Sequence, residues 1–182
     1  MEIEISEKTL EDIVCEILKN QDKYPDKFNF LEHSDIVIRQ LNLNNYGIPD
    51  IVTISFDIYE EAIVNIYELK KNDIDIQTLV QALRYRQGIR SLFNYIGISC
   101  KINIFLIGKN FNNSNGIFEQ ICETIINEDA GEFICAAEYK YGVTGIEFIQ
   151  YNLKPKDICI SKQLNIISTC IEHKDSEFKS LA

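Results

Sequence analysis

The sequence predicts an α/β fold in which a mixed central β-sheet is flanked by helices. Three observations lead there. Apolar residues recur at helical spacing over residues 9–20 and 72–96, but as short strand-like runs over 36–43, 47–71 and 101–110. The stretch "GIPDIVTISFDIYEEAIVNIYELKK" (47–71) consists of two apolar runs around a short acidic turn, the pattern of a hairpin. The strand after the second helix must return to the same sheet across a helical crossover, which adds a parallel pairing to the antiparallel hairpin.

Taken in order, "TLEDIVCEILKN" places Leu10, Ile13, Val14, Ile17 and Leu18 on one helical face, with Thr9 at the N-cap position and Asp12 three residues on. A polar connection containing a proline leads to "IVIRQLNL" as a first strand and "NNYG" as its turn. The hairpin comes next. "NDIDIQTLVQALRYRQGIRSLFNYI" reads as the second helix, with Asp75 as N-cap and Gly88 as a weak point. "KINIFLIGKN" reads as a strand and "GIFEQICETIINE" as a helix. "EFICAAEYKYGVTGIEFIQYN" reads as a strand pair turning at Tyr141-Gly142.

At 182 residues, 46% hydrophobic and 25% charged, the chain has ordinary globular composition, and one domain is expected. It contains no apolar run near 18 residues, and the N-terminus opens acidic, so neither a membrane span nor a secretory signal is expected and a cytoplasmic protein is. Six dispersed cysteines without a CxxC pair, and two histidines, His33 and His173, give no zinc pattern. The net charge of −10 opposes a polyanionic partner, but residues 62–110 hold seven basic against three acidic side chains, a net +4, leaving −14 elsewhere.

Asp50, Glu68 and Lys70 stand out within the hairpin. Side chains alternate along a strand, so Glu68 and Lys70 share a face and Leu69 points the other way. A five-residue loop at 57–61 would pair Phe56 with Ala62 and set Asp50 opposite Glu68. Two carboxylates there would be close enough to share one divalent cation. A slip of one residue would send Asp50 to the other face. The alternative for Glu68 and Lys70 is an exposed cross-strand ion pair. On the second helix, Gln77, Gln81 and Tyr85 recur every four residues with Arg84 beside them, while Ile76, Leu79, Val80 and Leu83 form the apolar side. That stripe reads either as a ligand-facing surface or as a solvated one.

A helix carrying glutamate, then G-x-x-D (Gly47 to Asp50), E-x-K (Glu68 to Lys70) and Q-x-x-x-Y (Gln81 to Tyr85), resembles the PD-(D/E)xK nuclease superfamily. Q-x-x-x-Y points to its RecB-like and NucS-like branches. The resemblance covers about residues 9–110 and implies a restriction-endonuclease-like α-β-β-β-α-β core, with 111–182 as an elaboration of the same domain. It implies a Mg²⁺- or Mn²⁺-dependent nuclease acting on DNA, with Asp50, Glu68 and the backbone carbonyl of Leu69 as metal ligands. Lys70 would position or deprotonate the attacking water. Gln77, Gln81, Arg84 and Tyr85 would approach the substrate, Tyr85 by stacking on a base. The family also places a glutamate on the first helix. Among Glu7, Glu11 and Glu16, Glu11 lies beside the apolar arc and is the expected catalytic residue; Glu16 points to solvent, Glu7 precedes the predicted helix, and Glu32 stays open. Targeting would come from an oligomer such as a homodimer, or from a partner protein. The competing reading is a catalytically inactive interaction or regulatory protein on the same fold, using its acidic surface.

Overall fold

The computed structural model describes residues 3–24, 34–59, 61–112, 116, 118, 120, 121, 131–143 and 145–152. Helix α1 spans Glu7–Lys19, and β1 (Ile36–Arg39), β2 (Ile51–Phe56) and β3 (Ala62–Leu69) come after it. A two-residue strand β4 (Asp73–Ile74) precedes helix α2 (Ile76–Ile96). The chain then forms β5 (Cys100–Gly108), a short β6 (Asn110–Phe111), β7 (Ile134–Gly142) and β8 (Gly145–Asn152). Six strands make one mixed sheet in the order β1-β2-β3-β5-β7-β8. β3, β5 and β7 are mutually parallel, and the β1–β2, β2–β3 and β7–β8 pairs are antiparallel. The α-β-β-β-α-β core is therefore present.

Each sheet face carries its own apolar layer. Leu10, Val14, Ile17 and Leu18 of α1 pack on Ile51, Tyr67, Leu69, Phe105 and Ile107. Leu79, Ala82, Tyr85, Ile89 and Phe93 of α2 pack on Val52, Val64, Ile66, Ile104 and Leu106. Full burial of such side chains stabilises by roughly 1.5–3 kcal/mol each, which is why alternate residues of the central strands are apolar on both faces.

Three local expectations are corrected, and two short strands are added. The N-cap of α1 is Ser6 rather than Thr9: its Oγ accepts from the Thr9 amide at 3.0 Å, so the helix begins at Glu7. The first strand, expected over 36–43, ends at Arg39 because Gln40 adopts φ 51° and leaves the extended conformation. Gly88 does not interrupt α2, which runs unbroken through it. A Cβ there would lie 2.7 Å from Cβ of Tyr46, so glycine is what lets the segment before β2 lie against the helix. β4 and β6, too short to register as periodicity, pair in parallel and hold the chain after Lys70 against the exit of β5. Asp75 does cap α2, in a reciprocal capping box with Thr78. The helix expected over "GIFEQICETIINE" falls largely outside the described residues.

Candidate functional site

The β2–β3 register decides whether a site exists, and Phe56 pairs with Ala62 and Ile51 with Tyr67. Asp50, one residue before Ile51, therefore lies alongside Glu68. Both belong to the α2 face, and Lys70, two residues beyond Glu68, shares that side. Oδ2 of Asp50 accepts from the Leu69 amide at 2.8 Å, which clamps the carboxylate to the end of β3. Lys70 Nζ donates to Oε1 of Glu68 at 2.6 Å, and the Lys70 amide donates to the Ile107 carbonyl at 2.8 Å. Lys109 N to Asn72 O and Asn112 N to Ile74 O continue that seam, so three backbone bonds fix the stretch after Glu68 to the end of β5. Asp50, Glu68 and Lys70 are thus brought together.

Glu68 is a buried carboxylate, 1% exposed, and its Oε2 has no hydrogen-bond partner among the described residues. Most buried polar atoms find one, so this oxygen is a departure to be explained. Burial, reinforced by the charge of Asp50, pushes Glu68 up to about 7, against the opposing pull of Lys70. Asp50 is likewise raised, chiefly by burial, although the Leu69 amide and Lys70 counteract it. Burial acts to lower Lys70, but its hydrogen bond to Glu68 and the surrounding carboxylates outweigh this and leave the ammonium raised. Two crowded acids against one lysine leave a local excess of negative charge.

Helix α1 approaches from the opposite face of the sheet. Glu11, the expected helix-1 acid, is engaged: Oε1 accepts from Arg39 Nε at 2.7 Å and Oε2 from Gln40 Nε2 at 3.3 Å. Glu7, expected to precede the helix, is its first residue, and its Oε2 accepts from the Lys71 amide at 3.2 Å. Its charge acts on Asp50, Glu68 and Lys70 alike, so two α1 glutamates border the pair rather than one. The signal that could have found Glu7 is Ser6 as N-cap, which puts Glu7 and Glu11 one turn apart. Glu16 bonds Asn20 at the end of its own helix, and Glu32 lies outside the described residues.

No protein-family model matches the sequence, and no curated protein matches it. Among solved structures, a repair endonuclease from Pyrococcus abyssi aligns with 74% of this chain and 47% of its own, at 16% identity and a TM-score of 0.39. The chain spans about half the length of that protein. A likeness of that size carries no functional argument.

On α2, Gln81 Nε2 donates to the Tyr85 hydroxyl, so the Q-x-x-x-Y spacing is realised as an i, i+4 contact. Tyr85 is only 2% exposed and belongs to the core, which corrects the expectation that its ring stacks on a base. What it offers is a hydroxyl. Burial raises that phenol above its ordinary value, with Glu68 and Asp50 adding to the rise, so the group stays neutral and within the field of the two acids. Gly47 explains the link to the G-x-x-D segment: it sits at φ 103°, and a Cβ there would stand 2.7 Å from Cε1 of Tyr85. The turn carrying Asp50 and the ring of Tyr85 therefore pack directly. Gln77 and Arg84 are exposed and line an open groove with Gln81, Ile76 and Val80; Ile76 and Val80, expected on the apolar side, are therefore exposed beside the polar stripe, and Arg84 Nε donates to the Tyr46 carbonyl at 3.1 Å.

The basic excess of residues 62–110 is largely internal. Arg86 and Arg90 bind Glu132, Lys101 binds Glu61, Lys70 binds Glu68, and Lys109 lies 3.7 Å from Glu4. Among the described residues, Arg84 and Lys71 form no ion pair.

Among the described residues, no group of three or more His, Cys, Asp or Glu side chains converges as a metal cage. The pair Asp50 and Glu68 nevertheless suits one class of ion. A buried carboxylate oxygen without a donor, beside a second carboxylate and short of positive charge, is hard, anionic oxygen chemistry. Mg²⁺ and Mn²⁺ accept such ligands, and Mg²⁺ takes one or two carboxylates while completing its shell with water and phosphate.

Proposed function

We propose that the chain is a Mg²⁺- or Mn²⁺-dependent nuclease of the PD-(D/E)xK type that hydrolyses phosphodiester bonds in DNA. One observation carries the reading: the buried Oε2 of Glu68, without a hydrogen-bond donor among the described residues, stands beside Asp50 and Lys70 at the end of the central strands. A structural ion pair would need only one acid and would satisfy both its oxygens.

Asp50, Glu68 and the Leu69 carbonyl would hold the cation. When bound, it would supply Lewis acidity toward the phosphodiester and a stronger nucleophile than neutral water. The protein groups do the rest. Lys70 is tethered by Glu68 yet its side chain is 26% exposed, so its ammonium can face a phosphate and steady developing negative charge. The Leu69 amide orients Asp50. Tyr85, held by Gln81, presents a neutral hydroxyl toward the same end of the sheet, while Gln77 and Arg84 line the groove alongside, where a backbone phosphate would meet the guanidinium. Water adds across the P–O3′ bond, leaving a 5′-phosphate and a 3′-hydroxyl.

The test is purified protein with labelled single- and double-stranded DNA, with Mg²⁺, with Mn²⁺ and with chelator, parent beside Lys70→Ala. Cleavage that requires metal and is abolished in Lys70→Ala, with DNA affinity held within about threefold, is expected, since one contact is a small part of a multi-phosphate interface. Inactivity across every substrate and metal would transfer the assignment to a non-catalytic acidic interaction protein.

A further inference from the structure

Gln40 carries no motif in the sequence, and it is the residue whose conformation the site explains best. It is one of two non-glycine residues at positive φ among those described, at 51°. Glutamine has no intrinsic preference for that left-handed region, whereas glycine occupies it freely. Strain of this kind persists only where the surroundings impose it, and it gathers at functional sites.

The surroundings identify what imposes it. In an extended strand Arg39 and Gln40 would point to opposite sheet faces. Here both reach the same carboxylate: Arg39 Nε lies 2.7 Å from Oε1 of Glu11, and Gln40 Nε2 lies 3.3 Å from Oε2. Only a break in the alternation allows this, and φ 51° at Gln40 is that break. The Gln40 amide nitrogen also lies 3.5 Å from Oδ1 of Asp50, and the Gln40 backbone N–H donates to the Asp50 carbonyl at 2.9 Å. Oδ2 of Asp50 is already taken by the Leu69 amide. One carboxamide, with two N–H groups, thus spans a carboxylate on α1 and one at the start of β2 that approach from opposite faces of the sheet.

We propose that Gln40 is a positioning residue, whose side-chain amide holds the Asp50 carboxylate in its ligand orientation and ties it to Glu11, the left-handed backbone being what brings the amide there. The proposal rests on the reading of Asp50 as a metal ligand. Groups that orient metal ligands typically change metal affinity about 10–100-fold when removed, and the long contacts here place Gln40 at the lower end.

Gln40→Gly separates position from fold, because glycine accepts φ 51° without strain and removes the exposed side chain that carries the amide. Mn²⁺ titration calorimetry and melting curves of the metal-free protein are run beside cleavage kinetics. Expected is an unchanged or raised Tm, Mn²⁺ affinity weaker by about tenfold, and a lower kcat with KM for DNA within about twofold. Mn²⁺ affinity and kcat within about twofold of the parent would overturn the proposal while leaving the nuclease reading intact. A parent protein that neither binds Mn²⁺ nor cleaves would overturn both. Should Gln40→Gly melt lower than the parent, Gln40→Asn decides: asparagine tolerates the left-handed region but is one methylene shorter, and parental Mn²⁺ affinity in that variant would refute a role that depends on reach.

Discussion

Replacing Glu68 by glutamine should make the metal-free protein more stable at neutral and alkaline pH, while abolishing its response to metal. Glu68 titrates at about 7 in the fold, with an ordinary value of 4.5. A folded-state value above the unfolded one means that this group's stability is fully present below about pH 4.5, is lost as pH rises through about 7, and changes little above. At about 1.36 kcal/mol per pH unit, the ionised carboxylate costs the metal-free fold on the order of 3 kcal/mol at about pH 8. Glutamine keeps an acceptor for Lys70 and removes the repulsion with Asp50. Its new N–H group replaces the oxygen that has no donor, and an imperfect partner there would take back about 1 kcal/mol. The net gain is about 2 kcal/mol, a Tm rise of roughly 4–8 °C for a chain of this size. At about pH 4.5, where Glu68 is protonated in the fold and only the roughly 1 kcal/mol of imperfect pairing separates them, parent and variant should melt within about 2–4 °C of each other. Differential scanning calorimetry at both pH values, with and without Mn²⁺, measures all of this. Mn²⁺ should raise the Tm of the parent and leave Glu68→Gln unmoved. A Glu68→Gln protein that melts lower than the parent at alkaline pH and keeps its Mn²⁺ response would refute the reasoning, because Glu68 would then be a structural anchor.

Tyr85→Phe should lower stability by only about 0.5–1.5 kcal/mol, the worth of its bond to Gln81, yet reduce cleavage; Tyr85→Ala should lose about 3–5 kcal/mol as a core cavity. Denaturant melts beside rate measurements separate the two, and full activity in Tyr85→Phe would remove the hydroxyl from the chemistry. Gly47→Ala should lose roughly 2–3 kcal/mol through positive φ and collision with Tyr85, and cleavage should fall with it as Asp50 moves. An alanine variant as stable as the parent would contradict this packing. Arg84→Ala should weaken DNA binding and flatten its salt dependence by about one phosphate contact, read by gel-shift titration at two salt concentrations; an unchanged slope would take the α2 groove out of the DNA path.

The sequence by itself determined the elements whose signal is local. Short apolar runs specify β2, β3 and β5, Asp75 as N-cap specifies the start of α2, and a five-residue loop specifies the hairpin register that puts Asp50 beside Glu68. Spacing i, i+4 likewise made the Gln81–Tyr85 pair legible. Tertiary structure decided whatever depends on which neighbour arrives. Whether Tyr85 shows its ring or its hydroxyl depends on Gly47 and the strands beneath it, since a helical stripe says which residues share a side and not what covers them. Most of the basic side chains that suggested a patch are neutralised by acids distant in sequence, Glu132 above all. The approach of Glu7 and Glu11 depends on α1 crossing the far face of the sheet, and the left-handed turn at Gln40 accompanies the meeting of Arg39 and Gln40 on one carboxylate. Periodicity reports a residue's direction within its own element; charge pairing, burial and strain are set by contacts between elements, which no local pattern encodes.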